Sequence, residues 1–345
     1  MRHDVVRSLP FDQWPEADRT AWAAACRPAD RLKRGGSSSH EVTRHDLVRR
    51  YGYFLDHLQR TGRLQSDAAA VALVTPDRVE SYRAELEARL SSVAVYGSIC
   101  KLRRMAQLLA PSSDFSWLTE IEKDLALVME PKSKLDRAVY ADVLVEAGMT
   151  LMAEVDAAAD RPALDRARQF RNGLMVALLA VHPLRLKNFA ALEIGRSFVR
   201  IKDRWWIVLT ASETKEKRPD ERPVVDHLAP WIDRYLGIHR PVLAQTDKPP
   251  ASLWLSSKDG APLAYGAVGR IITQTSLTTV GVAVTPHLFR TSAASTCAAY
   301  AGDQPYLGAA VLHHRDPAVT NEHYNRACTM SATARYGDLI KAFRR

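Results

Sequence analysis

Apolar side chains recur at helical spacing along the first third of the chain. The stretch TRHDLVRRYGYFLDHLQRTG ends at Gly62 and predicts an amphipathic helix. Its apolar stripe consists of Leu47, Tyr51, Phe54, Leu55 and Leu58. Helical patterns follow in TPDRVESYRAELEARL, SVAVYGSICKLRRMAQLLAP and SDFSWLTEIEKDLALVME, the first with Thr75 as N-cap and Pro76 behind it. These patterns predict a small helical domain over residues 1–131.

The polar, basic stretch Pro131–Arg137 is the predicted linker to a second domain over residues 132–345. This domain opens with a strongly apolar helical pattern that Pro183 breaks. The period then changes in SFVRIKDRWWIVLTASETKEKRPDERPVVD, where turn signals at Lys202-Asp203 and Ser212–Asp220 separate three short antiparallel strands. Helical patterns return in LAPWIDRYLG, AYGAVGRIITQTSL, PHLFRTSAASTCAAYA, QPYLGAAVLHH and PAVTNEHYNRA. The predicted fold class is mainly α with a small antiparallel β-sheet (α+β).

Composition adds a charge preference to this picture. The 345 residues carry a formal net charge of +9, which favours a polyanionic partner such as nucleic acid. No apolar run is long enough to span a membrane and the N-terminus lacks the apolar core of a signal peptide, so we expect a cytoplasmic, nucleoid-associated protein without a membrane partner. The cysteines form no CxxC pair, which disfavours a disulfide framework or structural zinc: Cys26, Cys100, Cys297 and Cys328.

Candidate chemistry begins with the stretch TPHLFRTSAAS, in which His287 and Arg290 share one face at a predicted helix start. The unpaired N–H groups there suit a phosphate. Arg185 follows the apolar helix, and Lys215 lies in the turn between the second and third strands. Taken singly, each has an ordinary alternative: a solvated polar helix face, a surface arginine or a hairpin lysine.

In their order along the chain, these elements resemble the tyrosine recombinases, the phage-integrase family. The matching stretches are HPLRLKNFAAL, TASETKEKRP, TPHLFRTSAAS and VLHHRDPAVTNEHYNRA. The resemblance covers the second domain in element order and implies that it is catalytic, while the helical first domain looks like the family's core-binding domain. It implies six catalytic residues: Arg185, Lys215, His287, Arg290, His314 and the nucleophile Tyr324. Lys217 remains the competing candidate for the hairpin lysine.

Three positions depart from the family pattern. Pro183 replaces the glycine that usually precedes the first arginine's LR, and Asn188 replaces an acidic residue three positions after that arginine. His313 replaces the glycine of the usual LGH. Every catalytic position stays filled, so these departures bear on the local support of Arg185 and on the rate.

The resemblance implies a site-specific recombinase or integrase of a mobile element, which cleaves and rejoins DNA through a 3′-phosphotyrosine and needs no metal, ATP or other cofactor. Its expected partners are double-stranded DNA and three further copies of the chain, in a tetramer that joins two sites through a Holliday junction. Whether a second recombinase or a directionality factor also takes part stays open. Basic residues of the first domain are candidate DNA contacts, against the alternative of ordinary solvated helix faces: Arg49, Lys101, Arg103 and Arg104.

Several alternatives stay open. The histidines could gather around a metal ion: His287, His313, His314 and His323. A DNA-binding protein of this fold without cleavage activity and a type IB topoisomerase also fit. Residues 331–345 either dock on a neighbouring copy or close their own domain. Residues 1–40 are either an arm or the start of the first domain, and we favour the start, with a short helix around Pro15–Ala25.

Overall fold

The computed structural model describes residues 6–27, 41–131, 137, 139–301, 304, 306–313 and 340–341. The chain divides into two compact units, Met1–Ser133 and Lys134–Arg345. His314, His323, Tyr324, the RGGSSSH break, most of the predicted linker and all but two of residues 331–345 lie outside the described residues. Within the described ranges, no helix is long and apolar enough to cross a membrane.

All the regular secondary structure described for the first unit is helical. Its α-helices are α1 (Glu16–Ala25), α2 (Glu41–Arg60), α3 (Pro76–Glu87), α4 (Ser92–Leu109) and α5 (Ser116–Leu127). The predicted stripe of α2 is confirmed, because each of its five apolar side chains is at most 1% exposed. Thr75 occupies the N-cap of α3, but its side chain makes no capping hydrogen bond.

The segment before α2 belongs to the core of this unit. Leu9, Trp14 and Trp22 are buried in it. The buried carboxylate of Asp18 in α1 accepts hydrogen bonds from the hydroxyl of Tyr51 in α2 and from the backbone N–H of Val71, both at 2.8 Å. Residues 6–27 therefore start the first unit, as the amphipathic pattern predicts.

The second unit combines helices with one small sheet. Its α-helices are α6 (Ala141–Ala157), α7 (Ala163–Val181), α8 (Leu186–Ala190), α9 (Ala229–Arg234), α10 (Arg240–Ala244), α11 (Tyr265–Val280), α12 (Pro286–Tyr300) and α13 (Leu307–Val311), and a π-helical turn (Tyr235–His239) joins α9 to α10. The apolar helix α7 is buried, as predicted. It crosses α6 at two glycines: a Cβ on Gly148 would lie 2.6 Å from the carbonyl oxygen of Gly173.

The sheet has three antiparallel strands in the order β1–β2–β3, so this prediction is confirmed. The strands are β1 (Phe198–Ile201), β2 (Arg204–Leu209) and β3 (Asp220–Pro223). Two details differ from the sequence prediction. Asp220 belongs to β3 rather than to the turn, because it pairs with Leu209. The helix predicted in QPYLGAAVLHH is only the short α13, and the PAVTNEHYNRA pattern lies outside the described residues.

Candidate active site

Arg185 stands where the buried helix α7 gives way to α8. Pro183 cannot continue α7, and His182 before it leaves the helical region with φ −115° and ψ 82°. Arg185 becomes the N-cap residue of α8 in an extended conformation. Its Nη2 donates to Oε1 of Glu216 at 2.6 Å. A phosphate that took this Nη2 would therefore have to displace the Glu216 carboxylate.

Arg290 lies on the first turns of α12, three residues after His287. Its Nη1 donates to the carbonyl oxygen of Pro183 at 2.5 Å and its Nη2 to that of Leu312 at 2.7 Å. Burial lowers the pKa of Arg290 to about 10, and the positive charges of Arg185 and Arg222 add to this effect. The guanidinium thus keeps its charge at neutral pH. A bound anion would stabilise this charged form.

His287 occupies the first turn of α12 and is exposed. The i,i+3 spacing puts it on the face of the helix that carries Arg290. The structure thus places four of the six predicted catalytic residues in the second unit (Arg185, Lys215, His287 and Arg290), while His314 and Tyr324 are outside the described residues.

The turn between β2 and β3 is organised by one buried threonine. The hydroxyl of Thr214 donates to the carbonyl of Arg218 at 2.6 Å and accepts from its backbone N–H at 3.1 Å. Lys215 and Lys217 are both exposed on this turn, with Lys217 at a φ of 56°. Glu216 between them reaches Arg185, so the turn is tied to the first arginine. This geometry leaves both lysines as candidates for the hairpin role.

Sequence reasoning did not identify an acidic and basic cluster beside the two arginines. In β3, Arg222 donates from Nε and Nη2 to the two carboxylate oxygens of Asp220, at 2.6 and 2.7 Å. His313 Nδ1 lies 3.4 Å from Oδ1 of Asp220. The strand alternation in DERP places Asp220 and Arg222 on one face, and this is the signal that could have identified the pair.

His182 is a buried histidine at the junction of α7 and α8. It is 6% exposed, and its Nε2 has no hydrogen-bond partner among the described residues. Burial, helped by the positive charge of Arg222, lowers its pKa from 6.5 to about 4. His182 is therefore neutral in the folded protein at pH values at which an unfolded chain would protonate it.

We expect this histidine to weaken the fold in acid. Above pH 6.5 both states hold neutral His182; as pH falls from 6.5 towards 4, only the unfolded state binds the proton. The free energy of unfolding should then drop by about 3 kcal/mol from this group. Chemical denaturation at a series of pH values, in wild type and His182→Gln, measures it. The glutamine variant should show a flatter acid limb, and equal slopes would contradict the assignment.

The four candidate DNA contacts of the first unit differ in their surroundings. Arg49 Nη2 and Lys101 Nζ lie 3.2 and 3.3 Å from the carboxylate of Asp46. Arg103 Nε donates to Oε1 of Glu122 at 2.5 Å, and Glu122 is nearly buried. Arg104 is exposed and makes no ion pair with any described residue. Arg104 is thus the side chain best placed to meet an external anion.

Comparisons with known proteins identify the fold. No protein-family profile matches the sequence, and no curated protein is significantly similar to it. The structure is similar to that of XerH site-specific recombinase bound to difH substrate in a pre-cleavage complex, with 11% identity, coverage of 95% of this chain and 99% of that chain, and a TM-score of 0.57. Two more distant likenesses are a post-cleavage complex of XerH with palindromic difH (11% identity, 96% and 98% coverage, TM-score 0.49) and XerA recombinase (17%, 92% and 98%, 0.40).

Proposed function

We propose that this chain, which has the tyrosine recombinase fold, is a site-specific DNA recombinase. It cleaves and rejoins DNA through a 3′-phosphotyrosine intermediate and uses no metal or ATP. The observation that supports this most strongly is that two arginines far apart in the sequence lie close enough for their charges to interact. Arg290 donates to Pro183, 107 positions earlier in the chain, and its charge acts on that of Arg185. Side chains that repel each other are held together here, as a phosphate site requires.

In the proposed reaction, the phenol oxygen of Tyr324 attacks the scissile phosphorus and gives up its proton, with His287 as the acceptor. The new O–P bond forms as the bond from phosphorus to the 5′ oxygen breaks. Lys215 donates the proton that turns this leaving oxygen into a 5′-hydroxyl. Attack by a second 5′-hydroxyl on the phosphotyrosine reverses the steps on another strand.

In this scheme the two arginines provide electrostatic stabilisation. The pentacoordinate phosphorane carries more negative charge than the ground-state phosphate, and preorganised guanidinium groups stabilise it selectively. Arg185 and Arg290 supply these charges, and His314 supplies a further hydrogen bond to the phosphate. The guanidinium groups thereby do what a metal ion does in many nucleases.

The helical first unit is proposed to bind the DNA backbone through Arg49, Lys101 and Arg104. Phosphate contacts fix the position of a protein on the duplex, and they make affinity depend on salt. Arg103 was predicted as a fourth contact, but its bond to Glu122 favours a structural role. The proposed assembly is a tetramer on two sites that exchanges strands through a Holliday junction.

We expect Arg104→Ala to weaken binding to all DNA sequences alike and to reduce the slope of log K against log salt by about 1. Arg103→Ala is the matched comparison on the same helix. It should leave the salt slope nearly unchanged but lower the free energy of unfolding by about 2 kcal/mol, because Glu122 loses its partner. Fluorescence anisotropy titrations and denaturant melts separate the two effects. Equal salt slopes for the two variants would contradict this division of roles.

Covalent trapping tests the proposed function. The protein is mixed with labelled nicked duplexes from the flanks of its own gene in the presence of EDTA and then denatured with SDS. The proposal predicts a protein–DNA adduct that EDTA does not affect. Tight, salt-sensitive binding without an adduct would favour the non-cleaving DNA-binding alternative, and an adduct lost with EDTA would favour a metal site. Relaxation of one supercoiled plasmid without exchange between two sites would favour a type IB topoisomerase.

A further inference from the structure

Three consecutive residues at the end of α13 are held by side chains from elsewhere in the second unit. The carbonyl oxygen of Val311 accepts from Arg222 Nη1 at 2.7 Å, and that of Leu312 accepts from Arg290 Nη2 at 2.7 Å. The imidazole of His313 lies 3.4 Å from Asp220. The last carbonyls of a helix have no partner within the helix. Here two guanidinium groups supply these partners from two different elements, β3 and α12.

Asp220 gives Arg222 one defined orientation. The two residues share a bidentate pair in which the side chains are only 10% and 13% exposed. A pair this buried contributes little net stability, because desolvation cancels much of the Coulomb attraction. Its effect is geometric: with Nε and Nη2 on the carboxylate, Arg222 directs its Nη1 at the carbonyl of Val311. The pair thus fixes the position of the polypeptide at residue 311.

The backbone at His313 is locally strained. Its φ of 52° is in the left-handed region, which disfavours a residue with a side chain. The family pattern has glycine here, which meets no such penalty. The imidazole of this chain instead gains the Asp220 carboxylate as a neighbour. Asp220 therefore contacts both Arg222, which binds the carbonyl of Val311, and His313, which belongs to the same segment.

The connected elements carry the proposed chemistry. Asp220 begins β3 directly after the turn with Lys215 and Glu216, and Arg290 comes from α12. The held segment continues without interruption into His314 and then to Tyr324. This arrangement holds the start of the segment that leads to the proposed nucleophile beside Arg290, the arginine proposed to bind the phosphate. A displacement of about 1 Å in such a position can cost about 10²-fold in rate.

We propose that Asp220 and Arg222 are positioning residues of the strand-cleavage reaction: held by Asp220, Arg222 fixes the segment that leads to His314 and Tyr324 relative to Arg290. This inference rests on the proposed recombinase function. Neither residue needs to touch DNA. The expected defect is therefore in the rate of cleavage at saturating DNA and not in the affinity for DNA.

The test compares Arg222→Gln with wild type in two measurements, the dissociation constant for DNA and the rate of adduct formation at saturating DNA. We expect the saturated rate to fall by about 10²-fold, while the dissociation constant stays within about threefold. Arg204→Gln is the control, because Arg204 lies in the adjacent strand β2 and pairs with Asp226 at the surface. Arg222→Lys keeps the charge and one donor, and should restore part of the rate.

A sulfur-bridged substrate separates positioning of the nucleophile from proton donation. A 5′-bridging phosphorothiolate leaves as a thiolate and needs no proton, since thiols have pKa values near 8.5. The Arg222→Gln defect should persist on this substrate. A defect that disappears there, a defect in affinity alone, or a wild-type rate would each overturn the proposal. Should Arg222→Gln fail to fold, Asp220→Asn and Arg222→Lys are judged by the same criteria. Absence of an adduct in the wild type would instead contradict the recombinase function itself.

Discussion

Tyr324→Phe is expected to abolish covalent attachment to DNA and to leave DNA affinity unchanged. Phenylalanine keeps the ring but lacks the oxygen that would attack phosphorus. An unperturbed tyrosine titrates near pH 10, and the proposed function requires guanidinium groups close enough to favour its phenolate. The measurement pairs SDS-resistant adduct formation on nicked duplexes with anisotropy titration of the same DNA. The proposed reaction has no step without this hydroxyl, so the loss should be complete.

The controls are two other tyrosines of the same unit. Tyr300 and Tyr306 are 70% and 72% exposed, so both side chains are largely open to solvent. Their phenylalanine variants should form adducts at the wild-type rate. A Tyr324→Phe protein that still became attached to DNA would refute the assignment of the nucleophile. A loss of attachment in Tyr300→Phe or Tyr306→Phe would move the assignment to that residue.

Arg290→Lys is expected to lower the rate of adduct formation by about 10²- to 10³-fold, the usual cost of losing a preorganised charge donor in an active site. The guanidinium bridges the carbonyls of Pro183 and Leu312 from one rigid plane. A lysine ammonium is a point donor and cannot hold both carbonyls while it contacts a phosphate. Because the charge is kept, DNA affinity should change only slightly. Single-turnover rates at saturating DNA give the measurement.

Arg200→Lys is the matched control for this substitution. Arg200 lies on β1 and pairs with Asp233 at 3.1 Å on the exposed side of the sheet. Its lysine variant should cleave at the wild-type rate, since exposed ion pairs contribute little. If Arg290→Lys cleaved within tenfold of wild type, a phosphate-stabilising role for this arginine would be untenable.

The parts of the fold that depend on local pattern could be predicted. The apolar stripe of α2, the buried α7, the break at Pro183 and the three short strands all follow from periodicity and turn chemistry within a few residues. The short α13 was overestimated, because QPYLGAAVLHH has helix-forming composition along its whole length. Local patterns predict that an element exists more reliably than where it ends.

Contacts between distant parts of the chain could not be predicted in this way. Asn188 stands where the family has an acidic residue, and the sequence offered no replacement for it. The structure supplies Glu216 as the carboxylate partner of Arg185, across 31 positions. Similarly, the sequence did not indicate the bond of Arg103 to Glu122, because it joins two helices whose facing sides the sequence does not reveal. Pairings of this kind depend on tertiary packing.

The Arg222 cluster shows a further limit. Alternation places Asp220 and Arg222 on one face of β3, but the acceptor of Arg222 is the backbone carbonyl of Val311. Backbone groups are the same in every residue, so a sequence does not indicate which one a side chain will meet. The left-handed φ of His313 explains in turn why glycine suits this position in the family, which was visible only as a departure from the pattern.

The most direct test of the central claim is to identify the residue that carries the DNA. The adduct is trapped on a nicked duplex in EDTA, digested with protease and nuclease, and sequenced by mass spectrometry. We expect a single peptide modified at Tyr324 through a 3′-phosphate. Attachment through any other residue, or through a 5′-phosphate, would contradict it.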